Sequence, residues 1–260
     1  CFQDENITHV EGTIDPIRDA ELIETELLLA DLETINKNII RLEKLVKKDK
    51  DASRELDILL RLKEHSNDGN MARTFSVEKD DIDFIESLFL LTRKPILYVA
   101  NVDEKEIMNS KRNDDIQRLF DYANNKHNFA IRLCGKVEQE ISTLDPEEKV
   151  VFLEEYNLSE PGLNKLIHAG FNLLGLETYF TGGPTEVRAW TIKKGTNAPK
   201  AAGEIHTDFE KGFIKAEVIK YNDLIKFGSE IKVKDAGLSQ LQGKEYIVKD
   251  GDCIYFHFNV

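Results

Sequence analysis

Asn101-Val102-Asp103-Glu104 follows directly on Pro95-Ile96-Leu97-Tyr98-Val99-Ala100, a short apolar run of β character. An amide and a carboxylate three residues apart at a strand end can hydrogen-bond the edge of a planar heterocycle such as a nucleotide base. The plainer reading is turn chemistry, because Asn is common where a strand stops. Cys134-Gly135-Lys136 stands at the end of a second apolar run, Phe129–Leu133, and leads into a helical pattern. Other chemistry is sparse. His9, His65, His127, His168, His206 and His257 are scattered, without H-E-x-x-H or another paired ligand spacing, so no metal site is expected from these residues. There is no G-x-S-x-G nucleophile elbow. His206-Thr207-Asp208 reads as a turn in which Asp208 bonds local backbone, not as a catalytic pair. No G-x-x-x-x-G-K-S/T occurs, so the usual cradle for a nucleoside triphosphate and its Mg²⁺ is not among these 260 residues.

The Asn101–Glu104 spacing matches the guanine-reading pattern N-K-x-D with two changes: Val102 stands for the Lys and Glu104 for the Asp. The Asp of that pattern accepts hydrogen bonds from guanine N1–H and N2–H. Adenine has an acceptor at N1 and no N2 amine, so a carboxylate there has nothing to grip. The longer Glu104 also moves its carboxylate away. Loss of guanine preference is the expectation.

The elements that must position these residues are legible from periodicity. Leu28, Leu32, Ile35, Ile39, Leu42 and Val46 recur at spacings of 4, 3, 4, 3 and 4, an unbroken heptad seam. A charged turn over Lys47–Asp51 and an apolar pattern through Leu56, Leu59, Leu60 and Leu62 predict a second, antiparallel helix. At ~1.5 Å per residue, a helix of about 28 residues makes a projecting arm of about 40 Å. Beyond it, Ser76 can cap a helix carrying Ile82, Ile85, Leu88, Phe89 and Thr92 that stops before Pro95. Strand 96–100, a helix with Ile116, Leu119, Phe120 and Ala123, strand 129–133 and a further helix predict part of a doubly wound parallel sheet. Ligands of such sheets bind beyond the carboxyl ends of the strands, where both Asn101 and Cys134-Gly135-Lys136 lie. Asp145-Pro146 with Glu148 predicts a capping box, and Leu163, Leu166, Ile167 and Leu173 a following helix. From about Thr178 the chain turns β-rich. Val187–Ile192 and Phe213–Ile219 read as strands around a short helix at 199–205, and Asp250-Gly251 as a type I′ hairpin turn. These last residues predict a small α+β domain after Gly182-Gly183-Pro184.

The bulk numbers narrow the partners. With 41% hydrophobic residues, the chain can bury a core for one large or two modest domains. No apolar run approaches the roughly 18 residues of a membrane span, and no secretory signal is visible. Cys1, Cys134 and Cys253 are odd in number and far apart, which reads as free thiols in a reducing cytoplasm. The net charge of −13 argues against non-specific binding to DNA or membrane, and no sequence-specific DNA recognition is expected. Residues 36–50 nevertheless carry six basic and two acidic side chains, +4 in sum. Such a run is commonly a solvated helix face; the alternative is a footprint for an RNA-rich partner, with Lys37, Arg41, Lys44 and Lys47 as the contacts. A start at Cys1, inside an ordered-looking segment, is expected of a fragment.

Several longer motifs carry a family resemblance across essentially the whole chain. They are Thr8-His9-Val10-Glu11-Gly12, Asp15-Pro16-Ile17-Arg18-Asp19, Thr25-Glu26-Leu27, the N-x-x-E of Asn101–Glu104, Glu160-Pro161-Gly162-Leu163-Asn164, Glu186-Val187-Arg188-Ala189-Trp190-Thr191, Ala201–Phe213 and Tyr246–Asp252. Together they resemble the YchF, or Obg-like, ATPases. The resemblance implies an α/β, Ras-like P-loop NTPase domain, partial here (1–19 and 76–183). An antiparallel helical hairpin (20–75) interrupts it, and an α+β ubiquitin-like (β-grasp) TGS domain (184–260) comes after it. It implies an ATP hydrolase with ATP preferred over GTP, Mg²⁺ as cofactor, and a ribosome or ribosomal RNA as partner. Asn101 would bond the adenine edge, Val102 would offer backbone contacts beside Glu104, and the Cys134–Val137 loop, with Gly135 and Lys136, would close over the base. The family's P-loop and Mg²⁺-binding switch precede the position of Cys1, so neither transfers to a residue here. The 260 residues alone are expected to bind triphosphate weakly and to be inactive. A GTP-binding Obg-type protein and a non-catalytic ribosome- or RNA-docking module are the competing readings.

Overall fold

The computed structural model describes residues 1, 14–46, 50–109, 111–183 and 186–259. Thr8–Gly12, Lys47 and Pro184 therefore lie outside the described residues. Two compact units divide the chain, residues 1–169 and 170–260.

In the first unit, α1 (Pro16–Leu45) opens on Asp15, whose side chain accepts from the Ile17 and Arg18 N–H groups, with Pro16 at the first helical position. It packs along α2 (Lys50–Asn67). The seam is buried as its spacing requires: Ile35, Ile39 and Leu42 join Ala52, Ile58, Leu59 and Leu62 in one core. Leu60 departs from expectation, being exposed while Ile58 is buried in its place. The helix expected from Ser76 shrinks to α3 (Ile82–Glu86). Phe89 adopts φ 51°, and Leu88 and Leu90 fold back onto the seam. Burial of those two leucines at 88 and 90 outweighs helical continuity.

Two buried carboxylates on α1, seven residues and so two turns apart, fasten the hairpin to the sheet region beyond it. Asp31 accepts from the N–H groups of Leu91 (2.7 Å) and Thr92 (2.8 Å) and from the Thr92 hydroxyl (2.7 Å). Glu24 accepts from the Tyr98 hydroxyl, from the Tyr122 hydroxyl (3.1 Å) and from Lys126 Nζ (2.7 Å). Tyr98 lies on β1 (Leu97–Asn101). After β1 come α4 (Glu104–Met108) and α5 (Asp114–Asn125), which carries Tyr122. β2 (Phe129–Leu133) pairs parallel with β1, Leu97 opposite Phe129 and Asn101 opposite Leu133. α6 (Gly135–Thr143) leaves β2 after one residue. α7 (Pro146–Glu155) has the complete capping box of Asp145 and Glu148, and α8 (Gly162–Leu174) comes next.

The second unit is a five-stranded mixed sheet. Its strands are β3 (Leu176–Gly182), β4 (Val187–Lys193), β5 (Phe213–Lys220), β6 (Gln240–Gln242) and β7 (Asp252–Phe258), in the order β4-β3-β7-β5-β6. All neighbours are antiparallel except β3 and β7. Between β4 and β5 lie α9 (Ala198–Ile205) and α10 (Thr207–Lys211); α11 (Tyr221–Phe227) and α12 (Glu230–Asp235) precede β6. The alanines of α9 let it sit close on the sheet over Tyr179, Val218 and Phe256.

Three expectations are corrected here. β3 pairs along its whole length with β4, so residues 176–182, which the sequence placed with the nucleotide-binding domain (76–183), belong to the C-terminal sheet. Asp250-Gly251 is not a type I′ hairpin: only Gly251 has positive φ, and β7 pairs with β5 and β3, not with 246–249. The turn is held instead by its carboxylates. Asp250 accepts from Thr178 N–H, and the fully buried Asp252 accepts from the Lys249 N–H, the Tyr246 hydroxyl and Lys220. Finally, it is His206 Nδ1 that accepts from the Asp208 N–H and caps α10, not Asp208 that bonds backbone.

Burial alone raises the pKa of the Glu24 carboxyl, but the bonds from Lys126 and Tyr98 outweigh it and hold the group below its ordinary value. A carboxyl depressed by folding contributes stability that is full above its unfolded pKa and lost as pH falls through the folded one. Glu24→Gln is expected to cost about 2 kcal/mol at about pH 7, with the gap to wild type narrowing steadily below about pH 4. Urea denaturation at both pH values checks this; a gap independent of pH contradicts the assigned charge.

Candidate functional site

The carboxyl ends of β1 and β2 lie side by side because the strands are parallel and in register. Two links join them. Asn101 Oδ1 accepts from the Gly135 N–H at 2.9 Å, and Lys136 Nζ meets Glu104 Oε1 at 2.7 Å. Asn101 is exposed, so its Nδ2 remains a donor at the mouth of the site. The Glu104 carboxylate holds the Lys136 ammonium above its usual range. Asp103 plays a different part. Its side chain caps α4 by accepting from the Glu106 N–H at 2.7 Å, which sets Glu104 at the first helical residue.

Sequence reasoning named Asn101, Val102, Glu104, Cys134, Gly135 and Lys136, and the fold brings four of these to the surface of the site. Val102 and Cys134 are turned inward. Val102 is 1% exposed as a whole residue and its N–H donates to Leu133 C=O at 2.9 Å, so it offers a ligand neither side chain nor backbone N–H. Cys134 is 2% exposed, packed with Ala100, Val102 and Val137. It is the extended residue before α6, so its side chain points back into the core while Gly135 and Lys136 face out. There is accordingly no long Cys134–Val137 loop to close over a base; the helix begins at Gly135.

Two residues that sequence inspection did not single out frame the site. Tyr156, stacked on Phe152 at 4.7 Å, has its hydroxyl pKa raised by burial and by the Glu104 and Glu140 carboxylates. Glu138 on α6 accepts from the N–H groups of Gly162 (2.7 Å) and Leu163 (3.0 Å), capping α8. Gly162 has no room for a Cβ, which would lie 2.8 Å from Glu138 Oε1 and 2.9 Å from Leu133 Cβ. The only forewarning of either was the Glu160–Asn164 motif. Among the described residues no three His, Cys, Asp or Glu side chains come together as metal ligands. Among them too, no helix is long and apolar enough to cross a membrane.

The exposed arm cations are placed independently of this site. Lys37, Arg41 and Lys44 lie on the outer face of α1, opposite Ile35, Ile39 and Leu42. Lys37 is 3.7 Å from Glu33.

Asn101 and Glu104 at the end of β1, linked to Gly135 and Lys136 at the end of β2, mark the carboxyl edge of a parallel α/β sheet, where such folds bind their ligands. The fold is shared, at 18% identity and a TM-score of 0.58 over 94% of this chain and 72% of the other, with a GTP-binding protein from Pyrococcus horikoshii OT3. The YchF GTPase structure from Schizosaccharomyces pombe matches 98% of this chain and 70% of its own at 33% identity and a TM-score of 0.82. The chain is 50% identical over its full length, and over 71% of the relative, to the ribosome-binding ATPase YchF of Bacillus subtilis (strain 168). It is 44% identical to Obg-like ATPase 1 of Gallus gallus, covering 66% of that protein. Residues 176–259 match the family profile YchF-GTPase_C, described as a protein of unknown function (DUF933). The chain belongs to the YchF, or Obg-like, ATPase family.

The burial of Val102 makes a direct prediction. Val102→Lys, the residue of N-K-x-D, places an ammonium in the core and is expected to cost more than about 3 kcal/mol in a urea titration. A loss below about 1 kcal/mol would mean that this side chain reaches solvent.

Proposed function

We propose that this chain supplies the base-reading side of an ATP site in an ATP-hydrolysing protein that prefers ATP to GTP and associates with ribosomes. The supporting observation is the linked pair of strand ends. With Oδ1 held by the Gly135 N–H, the Asn101 amide is oriented with its Nδ2 donors outward, and these suit purine N7. Glu104, drawn to Lys136, is displaced from where a shorter Asp would meet guanine N1–H and N2–H. Membership of a family whose relatives are named ATPases supports hydrolysis by the whole protein. The phosphate-binding loop and the Mg²⁺ ligands are assigned to sequence outside these 260 residues, so the chain alone is expected to be inactive.

The ribosome reading rests on the name carried by the bacterial relatives and on the exposed stripe of Lys37, Arg41 and Lys44. The C-terminal unit is read as a TGS domain. Its order β4-β3-β7-β5-β6, with first and last strands parallel and a helix after the second, supports a ubiquitin-like reading. The absence of a disulfide framework and the ribosome reading favour a cytoplasmic location.

Two measurements on the natural full-length protein test these points. ATP is expected to bind at least about tenfold more tightly than GTP, and Glu104→Asp to narrow that ratio, with Val102 left intact for folding. Equal affinities before and after the change would remove Glu104 from base selection. Replacing Lys37, Arg41 and Lys44 by Glu is expected to abolish ribosome co-sedimentation at about 0.1 M salt and flatten its salt dependence. Unchanged pelleting would exclude the arm as the contact.

A further inference from the structure

Among the described residues no strand pairs with the outer edge of β2, and its surroundings are basic in a chain of net charge −13. The Phe129 N–H donates to Ile96 C=O, and Leu133 C=O accepts from the Val102 N–H, so residues 129, 131 and 133 turn their backbone groups toward β1. By strand alternation Ala130 and Arg132 turn theirs the other way. β1 is the only strand paired with β2 among the described residues. Ala130 and Arg132 line a groove of about 710 Å³ together with Lys111, Arg112, Phe120 and Lys165, and among the described residues no carboxylate lines it. The Arg132 guanidinium is already engaged, donating to Glu106 C=O (3.2 Å) and Asn109 C=O (2.9 Å) with the Glu106 carboxylate at 3.7 Å. Arg132 thus contributes backbone to the groove. The charge comes from Lys111, Lys165 and Arg112, whose guanidinium lies 3.6 Å from the centre of the Phe120 ring.

We infer that this edge is a docking site for an extended acidic segment of a partner protein, which adds to β2 as a further strand. An edge of alternating N–H and C=O groups matches another main chain, which carries both donors and acceptors. The three cations select carboxylates on the incoming strand. Nucleic acid fits less well. Phosphate oxygens only accept, so they serve the N–H groups of Ala130 and Arg132 and oppose the carbonyls beside them. This inference stands apart from the nucleotide and ribosome readings, since neither uses these residues.

The probe is an acetylated, amidated seven-residue peptide of alternating glutamate and valine, titrated into the natural full-length protein, with a uridine decamer RNA in parallel. Hydrogen exchange at the Ala130 and Arg132 amides is followed by NMR. The peptide is expected to slow exchange at both at least about tenfold on saturation. Ala130→Pro removes one outward donor while sparing the pairing to β1 and is expected to weaken binding about tenfold. Lys111→Glu with Lys165→Glu should weaken it similarly and reduce its salt dependence; this variant decides the matter if the proline variant does not fold. The proposal is overturned by any of three results. Both amides are already protected in the free protein, so its own chain covers the edge; the peptide binds without slowing them; or the RNA binds there and the peptide does not.

Discussion

The first unit depends on two carboxylates that α1 carries into the interior, Glu24 and Asp31. Each satisfies groups from elsewhere in the chain that would otherwise be buried unpaired, a cost of roughly 1–3 kcal/mol apiece. Asp31 takes up the N–H groups of Leu91 and Thr92 as the chain returns from the helical hairpin. Thr92 in turn accepts from the Ala72 N–H through its hydroxyl. Glu24 then fixes β1 through Tyr98 and α5 through Tyr122 and Lys126. The start of β1 is located by α1, and everything at its far end, Asn101 included, inherits that placement.

The carboxyl end of β1 is reached from this geometry by short steps. Parallel pairing in register brings Asn101 beside Leu133, and the single residue Cys134 must turn the chain into α6. That turn drives the Cys134 side chain inward and presents the Gly135 N–H to Asn101 Oδ1. Val102, whose backbone continues the pairing to Leu133, is buried for the same reason. Packing by itself accounts for a valine where the N-K-x-D pattern has lysine. Asp103, between two residues of functional interest, is explained entirely by capping α4.

The second unit uses the same device without any evident ligand role. Asp252 is fully buried and is met by Lys220, Tyr246 and the Lys249 N–H. Burial opposes the Lys220 charge, but its bonds to Asp252 and Tyr246 prevail and hold its pKa above the usual value. The turn at Asp250-Gly251-Asp252 is therefore a structural staple joining β3, β5 and β7. It belongs to the most recognisable motif near the C-terminus, so a distinctive motif here encodes packing.

Local patterns in the sequence determined most elements of this protein. The heptad seam of α1, the parallel pair β1 and β2, the capping box of α7 and the helix after Asn197 all arise from periodicity and capping, which act over a few residues. So did the identity of Asn101, Glu104, Gly135 and Lys136 as groups at strand ends. Contacts between distant residues were decided only by the tertiary structure. The shortening of α3, the inward turn of Val102 and Cys134, and the place of β3 in the C-terminal sheet each reflect partners remote in sequence. The pairing of Glu24 with Lys126 spans 102 residues, and that of Asp31 with Thr92 spans 61. Burial is a property of what a side chain meets after folding, and no local spacing reports it.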